Sequence, residues 1–177
     1  MAIPIRHSDP RRVSAGARTF FVTSSTWGKR SLLQSERAAS LFINVLYEYR
    51  KQRKYLLHEF VIMPDHFHIL ITVGPELSIE RAVQFIKGGF AFRAGKQLGL
   101  SSPIWQRGFS EVRVMTEAQF EGIRRYIGNN PVIRHLAEHP NGFFYSSAHA
   151  GFDLDPPPQG LKPDLEEVTV GTPEGVP

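Results

Sequence analysis

Hydrophobic positions along the chain follow two periods, and the switches between them outline a series of strands and helices. The β-branched and aromatic run at 19–25 predicts a first strand, closed by the basic loop Trp27-Gly28-Lys29-Arg30. Beyond Ser35, Ala38, Leu41, Phe42, Val45, Leu46 and Tyr49 recur at three- and four-residue steps, the spacing of an amphipathic helix. Its end, Arg50-Lys51-Gln52-Arg53-Lys54, puts cations where the helix dipole favours them. Residues 55–63 predict a second strand, and Pro64-Asp65 turns the chain straight into a third at 66–73. So short a connection implies an antiparallel pair. Gly74-Pro75 ends the third strand, and Ser78 caps a second helix with Ile79, Val83, Ile86 and Phe90 on one stripe. Gly88-Gly89 lies inside that helix at about 1 kcal/mol per glycine relative to alanine, so either the helix bends or something packs against its backbone.

After Gly99 and Pro103, the run from Ile104 predicts a fourth strand reaching about Val114. Thr116-Glu117-Ala118-Gln119 is a capping box that opens a third helix, whose buried stripe is Phe120, Ile123 and Ile127. Pro131 disfavours helical geometry at Asn130, so this helix is expected to stop near Asn129, with a short further helix from Pro131 to Ala137. Phe143-Phe144-Tyr145-Ser146-Ser147 is expected to pack back on the body. The order is strand, helix, strand, strand, helix, strand, then an extra helix. It predicts an α+β protein with a ferredoxin-like βαββαβ antiparallel sheet, the first and third strands central. The first two helices would cover one sheet face and the third the other.

The chain has 177 residues, enough for one domain with a sizeable core, and its 41% hydrophobic content excludes wholesale disorder. It contains no cysteine, which excludes disulfides, thiolate metal sites and a cysteine nucleophile. Residues 1–17 are aperiodic and hold several arginines, read as a flexible basic arm without a signal-peptide apolar run. Residues 18–150 form the folded domain. Residues 151–177, with Pro156-Pro157-Pro158 and six acids against one lysine, read as a disordered acidic tail. The net charge of +4 therefore divides into −5 on that tail and +9 on residues 1–150. A body so basic suits a polyanion, nucleic acid being the commonest. With no stretch approaching the ~20 apolar residues of a membrane span, the protein is expected in the cytoplasm.

The chemistry gathers on the third strand. Side chains two apart on a strand share a face, so His66 and His68 stand together with Leu70 and Thr72, while Phe67, Ile69, Ile71 and Val73 face the core. Two adjacent imidazoles suit a divalent cation, although such a pair also occurs simply hydrogen-bonded to water or backbone. On the third helix, ~100° per residue brings Tyr126 and Asn130 within about 40° of each other, beside Ile123 and bordering the buried stripe. If that stripe covers the histidine face, a phenol and an amide oxygen approach the imidazoles, and Asn130 supplies the oxygen a hard cation needs. A cation at a phosphodiester neutralises charge and polarises phosphorus, and a tyrosine oxygen can then attack it. Arg124, Arg125 or Arg107 would hold the phosphate.

His66-Phe67-His68 behind Met63-Pro64-Asp65, Trp105-Gln106-Arg107 with Phe109, and Tyr126-Ile127 with Asn130-Pro131 together resemble the single-tyrosine HUH transposases, most of all their REP-associated branch. The resemblance spans about residues 18–148. It implies cleavage and rejoining of single-stranded or hairpin-forming DNA with magnesium or manganese. His66 and His68 become metal ligands, and Tyr126, on the additional C-terminal helix, becomes the nucleophile, ending on a 5′ phosphate and leaving a free 3′ hydroxyl. Some relatives carry glutamine as third ligand where this chain has Asn130, an amide oxygen on a shorter arm. Trp105 is read as a base-stacking residue, though strand aromatics are commonly core. Lys29, Arg30 and Lys87 complete the cations assigned to DNA. The alternatives are a catalytically silent nucleic-acid-binding module on the same fold, and a metal hydrolase unrelated to nucleic acid. Monomer and homodimer stay open.

Overall fold

The computed structural model describes residues 16–164. Four strands, β1 (Arg18–Ser25), β2 (Leu56–Met63), β3 (His66–Val73) and β4 (Ser110–Val114), form one antiparallel sheet in the order β2-β3-β1-β4. Three helices join them: α1 (Glu36–Lys51), α2 (Ile79–Leu98) and α3 (Glu117–Ile133). This is the βαββαβ arrangement with an extra helix that the hydrophobic periods predict. Phe20, Val22, Phe67, Ile69 and Ile71 meet α1 and α2 in a large core on one face. Val61, Met63 and Leu70 on the other face meet Phe120 and Ile127 of α3 in a smaller one.

The glycine pair in α2 leaves the helix continuous. A Cβ at Gly89 would lie 2.7 Å from the Tyr49 ring of α1, whereas one at Gly88 would meet nothing within 4 Å. Close approach of α1 is what Gly89 permits.

Three predicted boundaries differ. β4 starts at Ser110 rather than Ile104. Residues 104–109 form a loop that feeds Ile104 and Trp105 into the core beside Phe42 and Phe90, and Gly108 turns it at φ 70°. α3 does not stop at Asn129 but runs through Pro131 to Ile133. Pro131 lies in the last turn, where it removes one ladder hydrogen bond, and burial of both Asn130 and Pro131 offsets that loss. The separate helix expected from Pro131 to Ala137 is absent among the described residues.

The third difference concerns the tail. Residues 145–147 pair with the free edge of β2, where Ile62 N–H donates to the Tyr145 carbonyl and Ser147 N–H to that of Phe60. The chain then continues along the molecule instead of leaving it at residue 151. The Asp155 carboxylate, 1% exposed, accepts from Arg50 Nε at 2.8 Å and from the Leu57 N–H at 2.8 Å. Further on, Glu117 N–H donates to the Lys162 carbonyl and Ala118 N–H to Asp164 Oδ1, tying the segment to the start of α3. Acidity marks this segment because it answers Arg50 and a helix N-terminus. The remaining tail, 165–177, and arm residues 1–15 lie outside the described residues.

Removing one partner of a buried ion pair leaves the other charge uncompensated, which costs about 3 kcal/mol or more. Asp155→Ala is therefore expected to lower unfolding stability by roughly that amount, and the Leu57 amide loses its acceptor as well. Urea unfolding measures it; a change below about 1 kcal/mol would mean that the segment is not anchored as described.

Candidate active site

The α3-facing side of the sheet is read most easily in rows across the strands. Met63, His66 and Ser25 make one row; Val61, His68, Thr23 and Ser110 the next; Glu59, Leu70, Phe21 and Val112 the third. The imidazoles of His66 and His68 therefore stand on neighbouring rows, with ring centroids 4.9 Å apart. Both residues are buried, at 7% and 5% exposure.

Each ring is held through Nδ1. Asp65 Oδ1 accepts from His66 Nδ1 at 2.6 Å, and Thr23 Oγ1 shares a 2.6 Å hydrogen bond with His68 Nδ1. Engaging Nδ1 fixes the ring and leaves Nε2 as the outward nitrogen, the arrangement commonly found around metal-ligating histidines. Burial pushes the His68 pKa down to about 3, with the charges of His66, Arg134 and Lys29 adding to the effect. The ring is neutral at pH 7, so its lone pair is available.

α3 brings the phenol. The Tyr126 ring lies 5.4 Å from the His68 ring and 5.8 Å from Phe21, while Phe21 stacks on His68 at 5.4 Å. Tyr126 is 45% exposed, so its ring is fixed on one side and open on the other. Because α3 continues past Asn130, the helical geometry relating Tyr126 to Asn130 applies without interruption. One turn beyond Asn130, Arg134 lines a depression of about 190 Å³ with Asp65 and His66. Along α3, Asn130 therefore falls between Tyr126, which packs on His68, and Arg134, which shares a depression with His66. It is 4% exposed, and its Oδ1 is buried without a hydrogen-bond partner among the described residues. A buried amide oxygen without a donor is costly unless something else satisfies it.

No group of three His, Cys, Asp or Glu side chains able to hold a metal occurs among the described residues. Two imidazoles stand side by side on β3, and α3, which covers this face, carries one unpartnered amide oxygen; together they make a mixed nitrogen and oxygen set of the kind that suits a divalent ion completed by water or phosphate oxygens. The orphaned Asn130 oxygen is the observation that such an ion fits.

The predicted DNA-contacting residues divide. Arg107 and Arg125 are exposed, and neither has a side-chain hydrogen bond among the described residues. Lys29 and Arg30 are exposed in the loop after β1, where Lys29 Nζ donates to Ser25 Oγ in the His66 row. Arg30 is turned toward the Pro103 carbonyl. Trp105 is partly buried against the core: its ring packs on Phe42, Phe67 and Phe90 and its indole N–H donates to the Lys87 carbonyl. Lys87 Nζ donates to the carbonyls of Gln106 and Gly108, bracing the 104–109 loop. Arg124 is engaged by Glu59 Oε1 at 2.7 Å and by Glu121. Sequence singles out neither Thr23 nor Arg134 as a site residue. For Thr23 the signal was available, because aligning β1 against β3 places it opposite His68.

The fold is similar to that of a transposase, and the sequence matches a transposase family. More narrowly, residues 21–130 match the family of IS200-like transposases, and the chain belongs to it. Two solved structures are similar. One is a REP-associated tyrosine transposase bound to a REP hairpin, 19% identical, covering 90% of this chain and 99% of that one with a TM-score of 0.65. The other, from Deinococcus radiodurans R1 and described as a transposase, is 22% identical and covers 67% of this chain and 94% of its own, at a TM-score of 0.50. No curated protein matches the chain. Among the described residues no helix is long and apolar enough to cross a membrane.

Proposed function

We propose that this transposase cleaves and rejoins single-stranded or hairpin DNA through a covalent link to Tyr126. The observation that carries the reading is the Tyr126 ring lying 5.4 Å from His68, on the sheet face where the two imidazoles stand. The hairpin-bound state of a REP-associated transposase of like fold supports hairpin DNA as the partner.

His66, His68 and Asn130 are the residues that would hold magnesium or manganese. When bound, such an ion neutralises phosphate charge and polarises phosphorus. The chain's own contributions are distinct. His66 and His68 are held in one ring orientation by Asp65 and Thr23. Phe21 and His68 support one side of the phenol, which narrows its approach to a bound phosphodiester. Lys29, Arg30, Arg107 and Arg125 attract and retain the strand. The Tyr126 oxygen loses its proton to water and forms the new bond to phosphorus. The bond from phosphorus to O3′ breaks, and O3′ leaves as a hydroxyl after taking up a proton. The product is a 5′ phosphotyrosine, from which a second 3′ hydroxyl can recover the strand by the reverse displacement.

Incubation with 3′-end-labelled hairpin oligonucleotides and manganese is expected to produce a labelled band at protein mass on a denaturing gel, lost when the metal is chelated. A chain that binds the oligonucleotide but never yields that band would instead be a silent binding module.

A further inference from the structure

Arg124 reads from sequence as a phosphate ligand, yet in the structure its guanidinium, at the half-exposed edge of α3, is engaged by carboxylates of the protein itself. Its Nε donates to Glu59 Oε1 at 2.7 Å, and its Nη1 donates to Glu121. The Glu59 side chain is 8% exposed and sits on the sheet face that carries the histidines, one row beyond His68. Its second oxygen, Oε2, accepts from Ser147 Oγ, and Ser147 is itself fixed to the Phe60 backbone through its N–H and its hydroxyl. The carboxylate is therefore an immobile point on the sheet.

The position of Arg124 around α3 gives that point a use. At ~100° per residue, Arg124 falls on one flank of the Ile123–Ile127 stripe and Tyr126 on the other. The stripe itself is thin, with only Phe120 and Ile127 as buried apolar side chains ahead of Pro131. So narrow an apolar contact holds the helix against the sheet but leaves roll about its own axis weakly determined. A roll that lifts Arg124 carries Tyr126 toward the sheet, and the reverse roll carries it away.

We propose that the Glu59–Arg124 pair, buttressed by Ser147, is a positioning device that sets the roll of α3 and so places the Tyr126 phenol against His68. This rests on the reading of Tyr126 as nucleophile for its catalytic consequence, but not for its geometric one. Arg124 and Glu59 are positioning residues here, and neither touches DNA.

Two readouts test it on the full chain, the first with manganese and the second with diamagnetic magnesium. In single-turnover reactions with a hairpin oligonucleotide, Arg124→Ala and Glu59→Ala are each expected to slow adduct formation on the order of 10²-fold, the effect of an ångström-scale misplacement. Oligonucleotide affinity and its salt dependence stay as in the parent. The double variant is no slower than either single one, because both remove the same contact. Glu59→Gln keeps an acceptor for Nε and recovers most of the rate. Independently of chemistry, 3-fluorotyrosine incorporated throughout gives a Tyr126 resonance, assigned by its loss in Tyr126→Phe. It is expected to move in Arg124→Ala and Glu59→Ala and to return in Glu59→Gln. If an alanine variant fails to fold, Arg124→Lys gives a smaller displacement in the same direction.

An unmoved fluorine resonance in Arg124→Ala overturns the proposal. So does weaker binding with a salt slope lower by about 1, which marks a lost phosphate contact. Adducts that persist in Tyr126→Phe would remove the nucleophile reading alone, and the fluorine measurement would still decide whether the pair sets the helix.

Discussion

Tyr126→Phe is expected to eliminate the covalent protein–DNA product and to leave DNA binding close to that of the parent chain. Both halves of this expectation follow from where the ring lies. Its packing is with His68 and Phe21, contacts of the ring and not of the hydroxyl, so phenylalanine keeps them. The hydroxyl is the atom that would bond to phosphorus, and no other tyrosine is described against the imidazole pair. Tyr47 and Tyr55 are tied to backbone carbonyls, and burial raises the Tyr47 pKa to about 12, which disfavours a phenolate there. Retained binding is expected because the strand is held mainly by cations, each phosphate contact adding to a salt-dependent total to which the phenol contributes no charge. The measurement pairs a denaturing gel for the adduct with fluorescence anisotropy for affinity. An adduct of parental yield in the variant would mean that another residue attacks.

Much of the arrangement could be read from residue order. Period-two alternation in β3 separates Phe67, Ile69 and Ile71 from His66, His68 and Leu70, and the structure sends the first set to α1 and α2. Two helices on one face leave the other to be covered, so α3 and its tyrosine fall over the histidines. The features that sequence left hidden share a cause: each is decided by a partner far along the chain. Ile104 and Trp105 have strand composition, but packing against the α1 and α2 side of the core, with Trp105 on Phe42 and Phe90, draws them inward. Pro131 carries a local stop signal that burial of the last turn overrides. Arg124 is 65 residues from Glu59, and no local period marks an arginine as spoken for. The acidic segment after residue 151 has the composition of a solvated tail, and only Arg50 and the N-terminus of α3 explain why its first part is ordered.

His66→Ala and His68→Ala should each remove metal-dependent adduct formation, and the loss should exceed that from any change in the residues that merely orient them. The ranking follows from what each group supplies. His68 is neutral at pH 7 because burial holds its pKa near 3, so its Nε2 lone pair is free of protonation, whereas alanine offers none. Thr23 only holds Nδ1, so Thr23→Val should lower metal affinity by about 10- to 100-fold, the usual effect of losing a ring-orienting partner. Asn130→Ala removes the orphaned oxygen and with it one candidate ligand, and its effect on metal affinity should fall between these two. Both rings are buried, and His68 packs on Phe21 and Tyr126, so thermal unfolding of each variant is measured alongside to separate lost packing from lost ligation. Manganese titration followed by isothermal calorimetry, without DNA present, reads the ligand set directly and separates it from the chemistry at Tyr126. Were His68→Ala to bind manganese as tightly as the parent, the metal would sit elsewhere, and the two imidazoles would have to serve the phosphate in some other way, through hydrogen bonds from their N–H groups.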